Sequence, residues 1–322
     1  MGETVKQKIF LIVGPTASGK TAVSIDIAER MNAEIISADS IQVYKRLDIG
    51  SAKPSIEERR GIPHHLMDFV DIDDTSYNVA VYREKAAEWI GDIARRGRIP
   101  LIVGGTGLYV NSLVYPLDFS SAEPDFKRRD ELLALERKNK GVLHEMLKKF
   151  DPDTAGRLHA NDTKRIIRAI EVYEQTGVTL SAHGGDFANK RKAEIEFEPI
   201  IAGITMDRSK LYSRIESRID IMLEQGLAQE VDSILNDGFD RSLPALQGLG
   251  YKQLIAYRMG ELEFDEAVEL IKRDTRRFAK RQISWFKRDK RIRWFSLDKY
   301  ADALSSAVLD YFNGKDIGDD EP

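Results

Sequence analysis

The sequence predicts an α/β fold, a parallel sheet core of the P-loop NTPase-like kind flanked by helices and interrupted by a helical insertion domain. Three observations carry that expectation. Short apolar runs alternate with amphipathic helical patterns through the first third of the chain. A glycine-rich loop, GPTASGKT, closes the first of these runs. A charged, helix-forming segment then separates that third from a later apolar run.

The elements follow in order. Ile9 to Val13 is a short strand that ends at Gly14, and Lys20 to Met31 carries Ala22, Val23, Ile25, Ile27 and Ala28 at helical spacing. AEIISADS supplies a second strand that ends at Asp39. NVAVYREKAAEWIGDIARRG opens on Asn78 as an N-cap and stops at Gly97. IPLIVGGTGLY is a third strand, closing in Gly104, Gly105 and Gly107. Ligands of a parallel sheet sit at the carboxyl ends of its strands, so the glycine-rich loop, Asp39 and the Gly104 to Gly107 loop converge on one edge. Beyond YPLDFSSAEPD the texture turns helical, first over Phe126 to Phe150 and then from Asn161 through NDTKRIIRAIEVYEQTG to a stop at Gly177. The polar stretch SAHGGDFANKRKAEIEFE leads to a return strand, EPIIAGITM, and helices dominate from Asp207 to about Asp289. This divides the chain into a core of 1–117 plus 201–322 and an insertion of 118–200.

Composition bounds the function classes. At 322 residues, 42% hydrophobic and 32% charged, the chain has room for two domains. No apolar run is long enough to span a membrane, and MGETVKQK lacks the apolar core of a secretory signal, so a cytoplasmic protein is expected. With no cysteine there are no disulfides and no thiolate zinc site. A net charge of −4 does not point to nucleic acid, but its distribution does. Lys272 to Trp294 holds eleven Lys and Arg against two Asp.

Four groups of residues carry chemistry. In Gly14, Thr16, Ala17, Ser18, Gly19, Lys20 and Thr21 the spacing is that of a P-loop. Its backbone N–H groups cradle phosphate oxygens, its lysine reaches the terminal phosphate, and its threonine hydroxyl helps hold Mg2+. Asp39, at a strand end beside it, is open to three readings: a magnesium ligand, a base that accepts a substrate proton, or a cap for the next turn. Arg208, Arg214 and Arg218 are spaced by six and four, and Arg214 and Arg218 share a helix face suited to clamping phosphate; a solvated face paired with Glu216 and Asp220 is the competing reading. On a helical wheel Arg273, Arg276, Arg277, Lys280, Arg281 and Lys287 form a basic ridge opposite Phe278, Gln282, Trp285 and Phe286, which fits a nucleic-acid phosphate track; a solvated charged face and a membrane-surface helix are the competing readings. Lys164, Arg165 and Arg168 repeat that theme in the insertion. His64 and His65 are adjacent and read as packing or capping residues, with no protein-built metal site.

Taken together, GPTASGKT, ADSIQVYKRLDIGSAKP, GIPHHLMD, VGGTGLY, DTKRIIRAIEVYEQTG, DR with RIESR, LQGLGYKQ and KRQISWF resemble the bacterial tRNA dimethylallyltransferases, also called tRNA isopentenyltransferases. The resemblance runs through nearly the whole chain. It implies transfer of a dimethylallyl group from dimethylallyl diphosphate to N6 of an adenosine next to the anticodon, with Mg2+ as cofactor and tRNA as partner. It further implies that the P-loop, Thr21, Arg208 and Arg214 stabilise the leaving diphosphate, and that Asp39 is the general base. Ser40 and Gln42 would hydrogen-bond the adenine or position the base, with Ile41 and Thr106 beside the adenosine, while Lys164, Arg165, Arg168, Arg277, Lys280 and Arg281 grip the anticodon stem. A monomer is expected. Competing readings are a P-loop kinase that uses ATP, a prenyltransferase acting on free adenine nucleotide, and a noncatalytic RNA-binding protein.

Overall fold

The computed structural model describes residues 6–117, 125–183 and 196–316. These fall into two compact units, one of Met1–Val114 with Glu196–Pro322 and one of Tyr115–Ile195. Among the described residues no helix is long and apolar enough to cross a membrane.

The larger unit is built on a six-stranded sheet in the order β3-β2-β4-β1-β5-β6. Its strands are β1 (Gln7–Val13), β2 (Ala33–Ala38), β3 (His64–His65), β4 (Ile99–Gly104), β5 (Phe197–Thr205) and β6 (Ile292–Ser296), and every pairing is parallel. Parallel strands are buried on both faces, which is why β2 is buried at all six positions and Leu11 of β1 is wholly enclosed. The helices of this unit are α1 (Lys20–Met31), α2 (Val79–Arg95), α3 (Gly107–Val114), α9 (Arg208–Glu224), α10 (Leu227–Asn236), α11 (Tyr251–Arg258), α12 (Phe264–Phe286), α13 (Leu297–Tyr300) and α14 (Leu304–Phe312). Asn78 caps α2 as its sequence suggests, accepting from Ala80 N and Val81 N.

One apolar cluster joins the sheet to α1 and α14 through Ile12, Val23, Ile27, Leu304 and Val308. A second joins the segment after β2 to the C-terminal helices, with Val43, Leu47 and Val70 against Leu211, Ile215 and Tyr251. The segment between β2 and β3 has almost no regular structure, yet it buries Val43, Tyr44 and Leu47 in this cluster.

Neither β3 nor β6 is evident in the sequence. β3 is two histidines long, and its neighbours explain it: His65 Nε2 meets Glu34 Oε2 at 2.7 Å while the ring stacks on Trp89, centroids 3.8 Å apart. His64 Nδ1 lies 2.8 Å from Ile62 O. Glu34 is buried on β2, and its bond from Arg96 does most to hold its carboxyl down at about 2.

The smaller unit holds α4 (Phe126–Lys138), α5 (Val142–Phe150), α6 (Pro152–Arg157), α7 (Thr163–Thr176) and α8 (Leu180–His183). Leu132, Leu143, Leu147, Ile166 and Ile170 form its own core. The single helix expected over 126–150 is broken after Lys138, because Gly141 takes φ 87 and Glu136 accepts from Gly141 N at 2.7 Å and Leu143 N at 3.2 Å. Gly177, φ 70, ends α7 as expected.

Where the sheet ends, one contact is especially close. Gly104 pairs with Ala38 on β2 and with Val13 on β1, and a Cβ at position 104 would stand 2.2 Å from Ala38 O. Gly104→Ala should therefore destabilise the protein by about 1–3 kcal/mol, read as a lowered midpoint of urea unfolding with an unchanged slope. A midpoint equal to that of the unsubstituted chain would mean that β2 and β4 separate freely there.

Candidate active site

The loop between β1 and α1 is shaped by its own carbonyl groups. Ser18 N bonds to Pro15 O at 3.3 Å, and Lys20 Nζ donates to the same oxygen at 2.6 Å. Ala17 sits at φ 61, and its carbonyl accepts from Arg214 Nε of α9 at 3.0 Å. That bond fastens the loop to α9. It also brings the guanidinium close to the start of α1: Arg214 Nη2 lies 4.0 Å from where Gly19 would carry a Cβ. Ser18 is fully buried, and its hydroxyl has no partner among the described residues.

A cavity of about 1060 Å³ opens beside this loop. At one end lie Thr16 to Thr21 with Arg214 and Arg218, and on another wall Asp39 to Gln42 with Thr106. Apolar side chains of α9 and α12, including Ile215, Ile219, Met222 and Phe278, line the remainder. The site thus presents concentrated positive charge, the carboxylates of Asp26, Asp39 and Glu58, and an apolar wall.

Asp39 Oδ1 accepts from Ile41 N at 2.8 Å and Gln42 N at 3.2 Å, so it caps the turn that follows β2. Its Oδ2 has no hydrogen bond among the described residues. Capping fixes the carboxylate and leaves one oxygen for chemistry, so the cap and base readings are compatible. Ser40 N donates to Thr106 Oγ1 at 3.0 Å, and Thr106 N to Ala38 O at 3.1 Å, which ties this turn to the loop after β4.

Of the two roles expected of Gln42, hydrogen-bonding the adenine or positioning the base, its contacts favour the second. Its amide is already engaged, with Nε2 donating to Ser51 O and Ala52 O at 3.2 Å each and Oε1 accepting from Ser37 Oγ at 3.3 Å. It positions the turn rather than presenting its amide to a base. Two further groups hold the same segment. Lys53, its side chain 4% exposed, reaches Asp48 Oδ1 at 2.7 Å, Asp68 Oδ1 at 2.8 Å and Tyr44 O at 2.5 Å. Glu230 of α10 accepts from three successive amides, Asp48, Ile49 and Gly50, and from Tyr251 Oη at 2.6 Å.

Arg208 departs from the expected position. It opens α9 outside the cavity, where Nε donates to Tyr212 Oη at 3.0 Å and the guanidinium stands 5.1 Å from that ring's centre. Arg214 and Arg218, one helical turn apart, both line the cavity. The i, i+4 spacing places Arg218 on the face of Arg214, whereas Arg208 lies six residues away. Gly14 is likewise absent from the cavity lining.

The basic surfaces divide in the same way. Arg276 pairs with Glu216, and Lys272 reaches Asp220 at 2.7 Å, so acids from α9 neutralise part of the ridge. A wheel of α12 alone cannot reveal them. Arg277 remains 63% exposed at 3.7 Å from Asp274, and Lys280 is exposed. Arg281 lines the cavity with its guanidinium 5.7 Å from the centre of Phe278, a residue the wheel had set opposite. In the smaller unit Arg168 is drawn to the buried Glu171 at 2.7 Å, Arg165 reaches Asp162 at 3.3 Å, and Lys164 is exposed.

The cations at the phosphate end repel one another. Burial, reinforced by Arg218 and opposed by Asp39, lowers Lys20 to about 7. Burial also holds Arg218 below its ordinary value, with Asp39 opposing. Above pH 7 Lys20 is therefore largely neutral before an anion arrives, and an anion restores its proton. Pyrophosphate binding at pH 8 should take up on the order of one proton from the buffer, measured by calorimetry in buffers of different ionisation heat, and Lys20→Met should abolish that component. Equal proton uptake in Lys20→Met and the unsubstituted chain would place the titration elsewhere.

Residues 42–289 match the family model described as IPP transferase. The chain is 49% identical over 294 residues to a tRNA dimethylallyltransferase of Acetivibrio thermocellus, covering 91% of this chain and 92% of the relative. It is 48% identical over 297 residues to one of Carboxydothermus hydrogenoformans, covering 92% and 94%. Among solved structures it resembles the tRNA isopentenylpyrophosphate transferase of Bacillus halodurans, with TM-score 0.71, 38% identity and 96% of each chain covered. It also resembles a eukaryotic dimethylallyltransferase crystallised acting on tRNA, with TM-score 0.79, 30% identity, 98% of this chain and 82% of that one. A phosphate loop, two arginines and a strand-end carboxylate around one cavity, in a chain with these relatives, lead to a single assignment: this protein belongs to the IPP transferase family.

Proposed function

We propose that this protein transfers a dimethylallyl group from dimethylallyl diphosphate to N6 of the adenosine 3′-adjacent to the anticodon in tRNA, releasing diphosphate. The observation that carries the reading is the placement of Asp39 in the same cavity as the Lys20, Arg214 and Arg218 cluster. The named activities of the relatives agree with it.

The chemistry breaks the bond between C1 of the prenyl group and its diphosphate oxygen and forms a bond from N6 to C1. Negative charge grows on the leaving oxygen, where the loop amides of Ser18 to Thr21, Lys20, Arg214 and Arg218 stabilise it. The exocyclic amine becomes acidic only as the new bond forms, and Oδ2 of Asp39 takes its proton. The apolar wall of Ile215, Ile219 and Met222 suits a five-carbon group and excludes water that would otherwise capture it. Ser40 and Thr106, tied together, would place the adenine edge.

Among the described residues no group of three His, Cys, Asp or Glu could hold a metal ion. Thr21 is exposed at the phosphate end of the cavity, a donor set that fits an ion carried mostly by substrate phosphates and water. Mg2+ held there would neutralise charge on the diphosphate. For the tRNA, Lys164, Arg165, Arg277, Lys280 and Arg281 are the candidate phosphate contacts, and the smaller unit is the candidate recognition domain. A cytoplasmic monomer accords with this reading.

The test is a transfer assay with labelled dimethylallyl diphosphate, magnesium and unmodified tRNA, with AMP in parallel. Label in tRNA alone supports the proposal, whereas label in AMP or consumption of ATP overturns it. Asp39→Asn keeps the acceptor for Ile41 N and Gln42 N but loses the base. It should lower single-turnover transfer by about 10²–10⁴-fold while tRNA binding stays within about twofold. Transfer at the native rate would remove Asp39 from the proton's path.

A further inference from the structure

The sheet fixes the site only as far as its strand ends. Val13 and Gly104 are register partners, but the two loops that leave them have no sheet hydrogen bonds to hold their separation. Beyond that point they are joined by a side chain from the far end of the sequence. Gln282, 6% exposed on α12, accepts from Thr16 N at 2.8 Å through Oε1 and donates to Gly105 O at 3.0 Å through Nε2.

Both ends of this amide are required. One loop offers a donor and the other an acceptor, so a carboxylate would face Gly105 O with a second acceptor and a hydroxyl would be too short. The fit also depends on position 105 having no side chain. A Cβ there would lie 2.2 Å from Gln282 Nε2 and 3.3 Å from Gly14 O. The connection continues to the carboxylate, because Thr106 bonds Ala38 O through its amide and Ser40 N through its hydroxyl. A path of hydrogen bonds, joined by the Gly105–Thr106 backbone, runs from the phosphate loop, through Gln282, to the turn capped by Asp39.

We propose that Gln282 is a positioning residue that sets the separation of the phosphate loop from the Asp39 turn and transmits occupancy of the first to the second. Part of this inference rests on the proposed prenyl transfer. In a displacement at carbon, the leaving oxygen and the attacking nitrogen are held by these two loops respectively. A misplacement of about 1 Å between them costs on the order of 10²-fold in rate while each loop still binds its own ligand. The amide therefore acts on the chemical step and only weakly on affinity.

Gln282→Met matches the side chain in length and lacks both polar ends, and Gln282→Asn keeps the polarity but cannot span the gap. Amide hydrogen exchange with and without pyrophosphate reads the coupling independently of activity. In the unsubstituted chain pyrophosphate should slow exchange at residues 16–21 and also at 38–42 and 104–107; in either variant only the first group should respond. Single-turnover transfer should fall on the order of 10²-fold, with half-saturating donor concentration and tRNA affinity moving less than about threefold. Equal protection of all three segments in both variants, or a rate loss that appears wholly as weaker donor binding, would overturn the proposal. Should the unsubstituted chain transfer no prenyl group, the functional reading falls, and the exchange pattern still decides the role of Gln282.

Discussion

The site depends on the level at which three neighbouring strands stop. β4 lies between β1 and β2, and Gly104 is the register partner of both Val13 and Ala38. The chain therefore leaves the sheet at one height three times, into the phosphate loop, the Asp39 turn and the Thr106 loop. A one-residue slip would turn side chains to the wrong face and separate the carboxylate from the cations. The burial of β2 on both sides guards against such a slip.

Around that edge the protein gathers charges that do not suit one another without a ligand. Lys20, Arg214 and Arg218 share one end of the cavity, and Lys20 is depressed chiefly by its burial, with Arg218 adding to the effect. Bonds within the scaffold offset part of the cost of keeping these cations together. Arg214 holds Ala17 O and Lys20 holds Pro15 O. Under the proposed function a diphosphate would relieve the rest, and the cluster would favour polyanions over neutral ligands.

Much of this was legible in the sequence. The phosphate loop has fixed spacing within one short stretch, and Asp39 follows a strand-like run, so local pattern suffices for both. Arg218 was visible as the i+4 neighbour of Arg214, a stronger geometric link than the one to Arg208. Other features had no local signal. Gln282 reaches Thr16 across 266 positions, and Glu230 reaches Ile49 across 181. The basic ridge of α12 misled in its extent for the same reason, since Glu216 and Asp220 belong to another helix. The break at Gly141 and the two-residue strand β3 depend on partners that propensity does not encode.

Those long separations bear on how the protein comes to exist. The central strand β1 has β4 on one side and β5 on the other, and β5 begins only at Phe197. The phosphate loop waits longer, for Arg214 and then Gln282. During synthesis from the amino terminus, the GPTASGKT loop emerges among the first segments and is among the last to gain its contacts. A nascent or truncated chain would carry every residue of the GPTASGKT loop without the contacts that hold it in shape. The shape of that loop thereby depends on completion of nearly the whole chain.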